Sequence, residues 1–168
     1  PDGSRIVFAA AADDGSQQLW LHPLDGLFDA APLANTDDGD WPFWSPDGQT
    51  LGFFADERLW KLDLASGTRG DLCEAPAAGG AAWSESGGIV FASGGEFWRV
   101  RSAGGDCSLL YANTGLNAYR PTFLTDGNHF LFSTISPSSI MLGNLDRDTL
   151  RSVESDVRDP LFIPPRAV

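Results

Sequence analysis

The chain repeats itself four times at a period of about forty residues, and that period constrains its fold more than any other feature. Each copy carries similar punctuation: an aromatic residue with a Ser-Pro-Asp-Gly type turn, a short apolar strand, then usually an apolar-Trp pair. The second copy is the clearest, running Phe43-Trp44-Ser45-Pro46-Asp47-Gly48, then Leu51-Gly52-Phe53-Phe54, then Leu59-Trp60-Lys61-Leu62-Asp63-Leu64. The first opens at Pro1-Asp2-Gly3 and reaches Ile6-Val7-Phe8 and Leu19-Trp20. The third has Trp83-Ser84-Glu85-Ser86-Gly87, Ile89-Val90-Phe91 and Phe97-Trp98, and the fourth Thr125-Asp126-Gly127, Phe130-Leu131-Phe132 and Ile140-Met141. A repeat of this length with four strand signals is the signature of propeller blades. The expected fold class is all-β: a β-propeller of four blade repeats of four antiparallel strands. It forms a single region over 1–168, with repeats at approximately 1–45, 46–84, 85–124 and 125–163.

Within a copy, strand a is the Trp41–Ser45 type, b the Leu51–Phe54 type, c the Trp60–Leu64 type, and d a shorter one such as Arg69–Cys73. Alternation in strand c sets Trp60, Leu62 and Leu64 against Lys61 and Asp63, so one face is expected to be buried and the other wetter. Aromatics recur at three places: Trp44, Trp83, Phe123 and Phe162 on strand a; Phe8, Phe53, Phe91 and Phe132 on b; Trp20, Trp60 and Trp98, with Met141, on c. Rings at matched positions are packing residues between blades, each able to bury roughly 150–250 Å². The Asp-Gly pairs are turn formers, Gly supplying the positive φ that tight hairpins demand.

The two ends share a phase. Asp159-Pro160-Leu161-Phe162-Ile163-Pro164 aligns with Trp41-Pro42-Phe43-Trp44-Ser45-Pro46 and reads as a fifth strand a, which the first repeat lacks. Either the repeats close as a four-bladed ring, or they belong to a six- to eight-bladed propeller or an assembly of several chains. The second alternative is favoured because four blades is the low end of the range. It also implies self-association or exposed apolar surface at the terminal blades.

Composition excludes several classes of function. A net charge of −12 argues against nucleic acid, because phosphate binding needs clustered Lys and Arg. No apolar run approaches a membrane span, so no membrane insertion is expected within this chain. The two cysteines, Cys73 and Cys107, sit at different repeat positions, and a bridge would need Cα atoms within about 7 Å. Unpaired thiols are therefore expected. His22 and His129 lie in different repeats without partners at metal-ligand spacing. No nucleophile elbow, Walker loop or dinucleotide fingerprint occurs, so the chain is read as non-enzymatic, with no cofactor. Acidic residues gather on the face that carries the b–c and d–a loops: Asp13, Asp14, Asp37, Asp38, Asp40, Asp56, Glu57 and Glu96. Solvated loops are the plainer reading, and calcium at Asp37-Asp38-Gly39-Asp40 the sharper one.

The Ser45-Pro46-Asp47-Gly48 turn with its following strands resembles the WD40-like propeller repeat of the TolB type. Leu72-Cys73-Glu74-Ala75-Pro76, Phe97-Trp98-Arg99-Val100, Ala103-Gly104-Gly105 and Arg120 to Leu131 resemble the propeller C-terminal to the kinase domain of some bacterial membrane-anchored Ser/Thr kinases. The resemblance implies an extracytoplasmic or periplasmic binding or sensing module, with any catalytic domain outside this chain. The alternatives are the gating propeller of a prolyl-oligopeptidase-like hydrolase and a TolB-like periplasmic scaffold. The partner is expected to be a protein or small polar ligand on the loop face. Its site is expected where strand a begins, at Asp40, Trp41, Tyr119, Arg120, Arg158 and Asp159, with Gly79 and Gly80 between them. Those positions differ from blade to blade, which packing alone does not require.

Overall fold

A computed structural model of the chain describes residues 1–11, 15–112, 115, 117–146 and 150–155. All regular structure among them is β. The first sheet holds β1 (Arg5–Ala11), β2 (Gln17–Pro23) and β3 (Ala31–Pro32). The second holds β4 (Asp40–Trp44), β5 (Thr50–Ala55), β6 (Arg58–Asp63) and β7 (Arg69–Glu74); the third β8 (Ala78–Trp83), β9 (Gly88–Ser93), β10 (Glu96–Arg101) and β11 (Ser108–Tyr111). The fourth holds β12 (Ala118–Phe123), β13 (His129–Ile135), β14 (Ser138–Asn144) and β15 (Arg151–Ser155). Every sheet is an antiparallel meander in chain order. The strands that open the three larger sheets pack side by side, β4 on β8 and β8 on β12, while β1 lies against β4.

The a–b turns show why the repeat motif has its chemistry. In the second sheet Gly48 N–H donates to Ser45 C=O (2.9 Å), and the Ser45 hydroxyl donates to the Asp47 carboxylate (2.6 Å), which also accepts Gln49 N–H (3.0 Å). These bonds hold the Asp47 carboxyl below the ordinary carboxylate range. Ser84 to Gly87 departs from the motif yet keeps the turn, with Gly87 N–H on Ser84 C=O at 2.9 Å and Ser86 standing where Asp47 does. At Asp126 the carboxylate accepts His129 N–H (2.9 Å) and Asn128 N–H (3.0 Å), and the His129 ring lies 2.6 Å away. Together they lower its pKa to about 2.

The core lies between sheets. Leu19, Val7 and Ala9 of the first sheet close over Phe53 and Leu62 of the second. Phe43, Phe54 and Leu59 of the second meet Ile89, Phe91 and Val100 of the third. Val90, Ala92, Phe97 and Tyr111 of the third meet Phe130 and Phe132 of the fourth, with Phe97 edge-on to Phe132 at 4.6 Å between centroids. Each fully buried ring of this kind contributes roughly 1.5–3 kcal/mol. Both faces of strand c carry core residues, the wetter face through the residue that begins the strand's apolar pattern. Leu62 and Trp60 serve the core on one side and Leu59 the core on the other, because every inner sheet has a neighbour on each face. The wetter positions are also engaged: Lys61 Nζ donates to Ser102 C=O (2.6 Å) and, at the same place one repeat on, Arg99 donates to Leu145 C=O (3.1 Å).

Cys73 and Cys107 form a disulfide, which overturns the expectation of free thiols. Their Cα atoms are 6.3 Å apart, joining the outer strand of the second sheet to the segment entering that of the third. The two cysteines stand at different heights along the repeat only where neighbouring outer strands are level. Twisted sheets incline their outer strands, so positions out of register can meet at one height.

The first sheet leaves one face uncovered. Cross-strand register makes Phe8, paired with Trp20, the counterpart of Phe53, Phe91 and Phe132, paired with Trp60, Trp98 and Met141. Those three rings are 0%, 0% and 2% exposed, whereas Phe8 is 38% exposed and Ile6 beside it 46%. The corresponding contact, a preceding sheet, is absent among the described residues.

Replacing both cysteines with serine is expected to cost about 4 kcal/mol by the chain-entropy estimate for a loop of this length, read as a lowered urea midpoint. Replacing Ile6 and Phe8 with serine should reduce binding of a hydrophobic dye while changing stability by less than about 1 kcal/mol. The matched pair Ile89 and Phe91 should cost several times more.

Candidate ligand site at the inner-strand mouth

All three inner strands break register at the same place. The ladder shifts between Asp40 and Phe43, between Ala78 and Ala81, and between Tyr119 and Thr122. At each bulge one residue takes a left-handed backbone: Trp41 (φ 48°), Gly80 (φ 93°) and Arg120 (φ 52°). Glycine adopts this region freely, whereas an L-residue pays about 1–2 kcal/mol there. Pro42 and Pro121 follow the two non-glycine cases, and having no N–H they lose no ladder bond at the bulge.

The bulges aim three side chains at one another. The Trp41 ring rests on the third sheet where a Cβ on Gly80 would stand 3.3 Å from its Cε3; the same point lies 3.5 Å from Arg120 Cα. Gly79 lets the inner strand of the fourth sheet approach equally closely, with a Cβ there 3.3 Å from the Ala118 carbonyl oxygen and 3.4 Å from Tyr119 Cβ. The Arg120 guanidinium lies over both rings, 5.5 Å from the Trp41 centroid and 5.7 Å from that of Tyr119. Trp41 and Tyr119 are half-buried, while Asp40 and Arg120 are exposed. Asp40 turns its carboxylate back to accept Trp41 N–H at 2.7 Å, bracing the bulge.

Of the six residues expected at the mouth, the structure brings together Trp41, Tyr119 and Arg120 and sets Asp40 at their edge. Arg158 and Asp159 lie outside the described residues, as do Asp13, Asp14, Phe162 and the fifth strand a. The acidic loops have structural employment. Asp56 and Glu57 take φ of 53° and 58°, forming the same tight turn that Gly94 and Gly95 form one repeat on, and Asp56 pairs with Arg69 at 3.6 Å. Asp37-Asp38-Gly39-Asp40 is pinned by its main chain, Asp38 N–H on Gln17 C=O (2.8 Å) and Gly39 N–H on Thr36 C=O (2.9 Å). Among the described residues no three His, Cys, Asp or Glu side chains converge as metal ligands would. A cleft of about 750 Å³ around Gly88, Arg99 and Arg101, and a groove of about 490 Å³ beside the disulfide, exclude the mouth residues.

Gly80→Ala tests this construction. It adds a Cβ at positive φ and pushes on Trp41, so we expect a loss of about 1–2 kcal/mol together with a shift in tryptophan emission. A variant with unchanged emission would mean that the ring does not rest on Gly80.

No protein-family model matches the chain. An uncharacterized Escherichia coli protein, YidR, is 32% identical over 104 residues, which span 58% of this chain and 25% of that protein. Among solved structures, a putative TolB of Agrobacterium tumefaciens aligns with 92% of this chain and 62% of its own at a TM-score of 0.79 and 19% identity. TolB of Acinetobacter baumannii aligns with 89% and 41% at a TM-score of 0.75 and 16% identity. The chain thus spans a quarter of the curated relative and less than two thirds of these structures. What the likeness shows is the fold, a TolB-like β-propeller.

Proposed function

We propose that this chain is a non-enzymatic binding module that seats a small polar ligand or a protein segment at the inner-strand mouth of Trp41, Tyr119 and Arg120. The observation that carries the proposal is the cost accepted there. Trp41 and Arg120 hold the strained backbone that Gly80 holds without penalty; Trp41 gains some packing against the core of the second and third sheets, whereas Arg120 is exposed and gains none. Strain kept at positions that differ between otherwise equivalent blades points to selection for the side chains. Two half-buried rings and a cation on rigid strands suit a ligand with an apolar body and a polar group. By sequence alignment Arg158 and Asp159 fall at the same repeat position, and both lie outside the described residues.

The disulfide supports an extracytoplasmic setting, because such bonds persist where the compartment is oxidising. The segments that resemble kinase-linked propellers are the ground for reading this module as the sensor region of a bacterial Ser/Thr kinase. Finding a kinase domain and membrane span in the same polypeptide would support that parent, and a hydrolase domain would replace it. For the module itself, a thermal-shift screen of peptides and small polar compounds is the test. Its hits should lose at least tenfold in affinity when Trp41 and Arg120 are both changed to Ala. Hits that bind the double variant unchanged would remove the mouth as the site.

A further inference from the structure

We propose that the group read at the mouth is a single carboxylate, taken by the N–H edge of Arg120; this rests on the binding-module reading above. Three arginines lie over aromatic rings among the described residues: Arg5 on Trp44, Arg69 on Trp60 and Phe53, and Arg120 on Trp41 and Tyr119. Arg5 donates to Gly48 C=O (2.9 Å) and Arg69 pairs with Asp56 (3.6 Å). Arg120 alone of the three has neither a hydrogen bond nor an ion pair among the described residues. The two rings hold the Arg120 guanidinium within cation–π range and use none of its N–H donors, so the fork is positioned without being occupied. What such a fork accepts is visible elsewhere in this molecule. Arg58 holds Asp71 with two parallel bonds, Nε to Oδ1 at 3.0 Å and Nη2 to Oδ2 at 2.6 Å.

The surroundings select among anions. Arg120 is the sole cation on β4, β8 and β12, and Asp40 stands on the same rim of a chain of net charge −12. One positive charge beside a fixed negative one suits a monoanion, and a phosphate dianion would meet repulsion without a second cation to offset it. A planar carboxylate also matches the fork's geometry. Trp41 and Tyr119 then cover the carbon skeleton that carries it. The same chemistry can come from a peptide's chain terminus, an acidic side chain or a free organic acid.

The experiment uses four probes against the whole chain. They are an N-acetylated pentapeptide with uncharged side chains and a free C-terminus, the same peptide amidated, an amidated analogue with one internal glutamate, and 3-phenylpropanoate. Affinity is measured by calorimetry, and the site by NMR shifts of the Arg120 Nε–H and the Trp41 indole N–H. At least one carboxylate probe should bind ten times or more tighter than the amidated peptide and move both signals, and whichever does so identifies the source. Arg120→Lys should weaken that probe at least tenfold, since an ammonium keeps the charge but not the fork. Arg120→Gly should abolish binding with a melting temperature equal to or above that of the parent, because glycine relieves the left-handed backbone; this variant separates lost recognition from lost folding. Equal affinity for acid and amide, full binding by Arg120→Lys, or acid binding that leaves both signals unmoved would overturn the proposal. If other ligands still require Trp41 and Tyr119, only the ligand class falls; if no ligand perturbs either residue, the mouth falls with it.

Discussion

Everything in this fold depends on covering both faces of each sheet. A propeller blade is a small twisted meander with apolar side chains above and below, and neither face survives in water unaided. The aromatic ring in the middle of strand b meets that requirement on one side, and the leucine or phenylalanine that opens strand c meets it on the other. Phe53 with Leu59, and Phe91 with Phe97, are fully buried for this reason. The first sheet shows the same rule from its unmet side, since Phe8 and Ile6 have the composition of a covered face without the cover.

Polar groups are fitted to that packing rather than competing with it. The a–b turns satisfy their own backbone through Ser45 with Asp47, Ser84 with Ser86, and Asp126, so three different side-chain sets produce one turn. Between sheets, Lys61 and Arg99 reach carbonyls of the next sheet from equivalent positions, and Ser84 Oγ donates to Gly127 C=O at 2.7 Å. The Tyr111 hydroxyl both donates to Asn144 C=O (2.7 Å) and accepts its N–H (3.0 Å). These contacts add direction to an apolar interface that has little of its own. The disulfide adds a covalent tie between the second and third sheets.

The mouth departs from this economy. Three bulges in register present a tryptophan, a glycine and an arginine at one backbone conformation, and only the glycine suits it. Glycine would meet the backbone requirement at all three without strain. That two strands keep bulky side chains is intelligible when the ring and the guanidinium act together over the third strand, and Gly80 is small so that they can. Asp40, whose carboxylate braces the bulge, belongs to the support of this cluster.

How much of this was legible beforehand follows from the range over which each signal acts. Strand order, turn chemistry and the buried rings at Phe53, Phe91 and Phe132 are set by local propensity and a periodic pattern, which a linear chain displays openly. Trp41, Tyr119 and Arg120 stand out in the sequence as residues that break the repeat, which makes them candidates without saying what they bind. The bridge between Cys73 and Cys107 could not be read there, since it depends on how twisted sheets offset their outer strands. Nor could the second buried face of strand c, or the approach of Arg120 to Trp41 across Gly80, whereas the exposed face of the first sheet is what a terminal repeat leads one to expect. Sequence determined which residues repeat and which do not; only the packing of sheet on sheet decided what those residues touch, because such contacts join positions about forty or more residues apart through angles that no local pattern encodes.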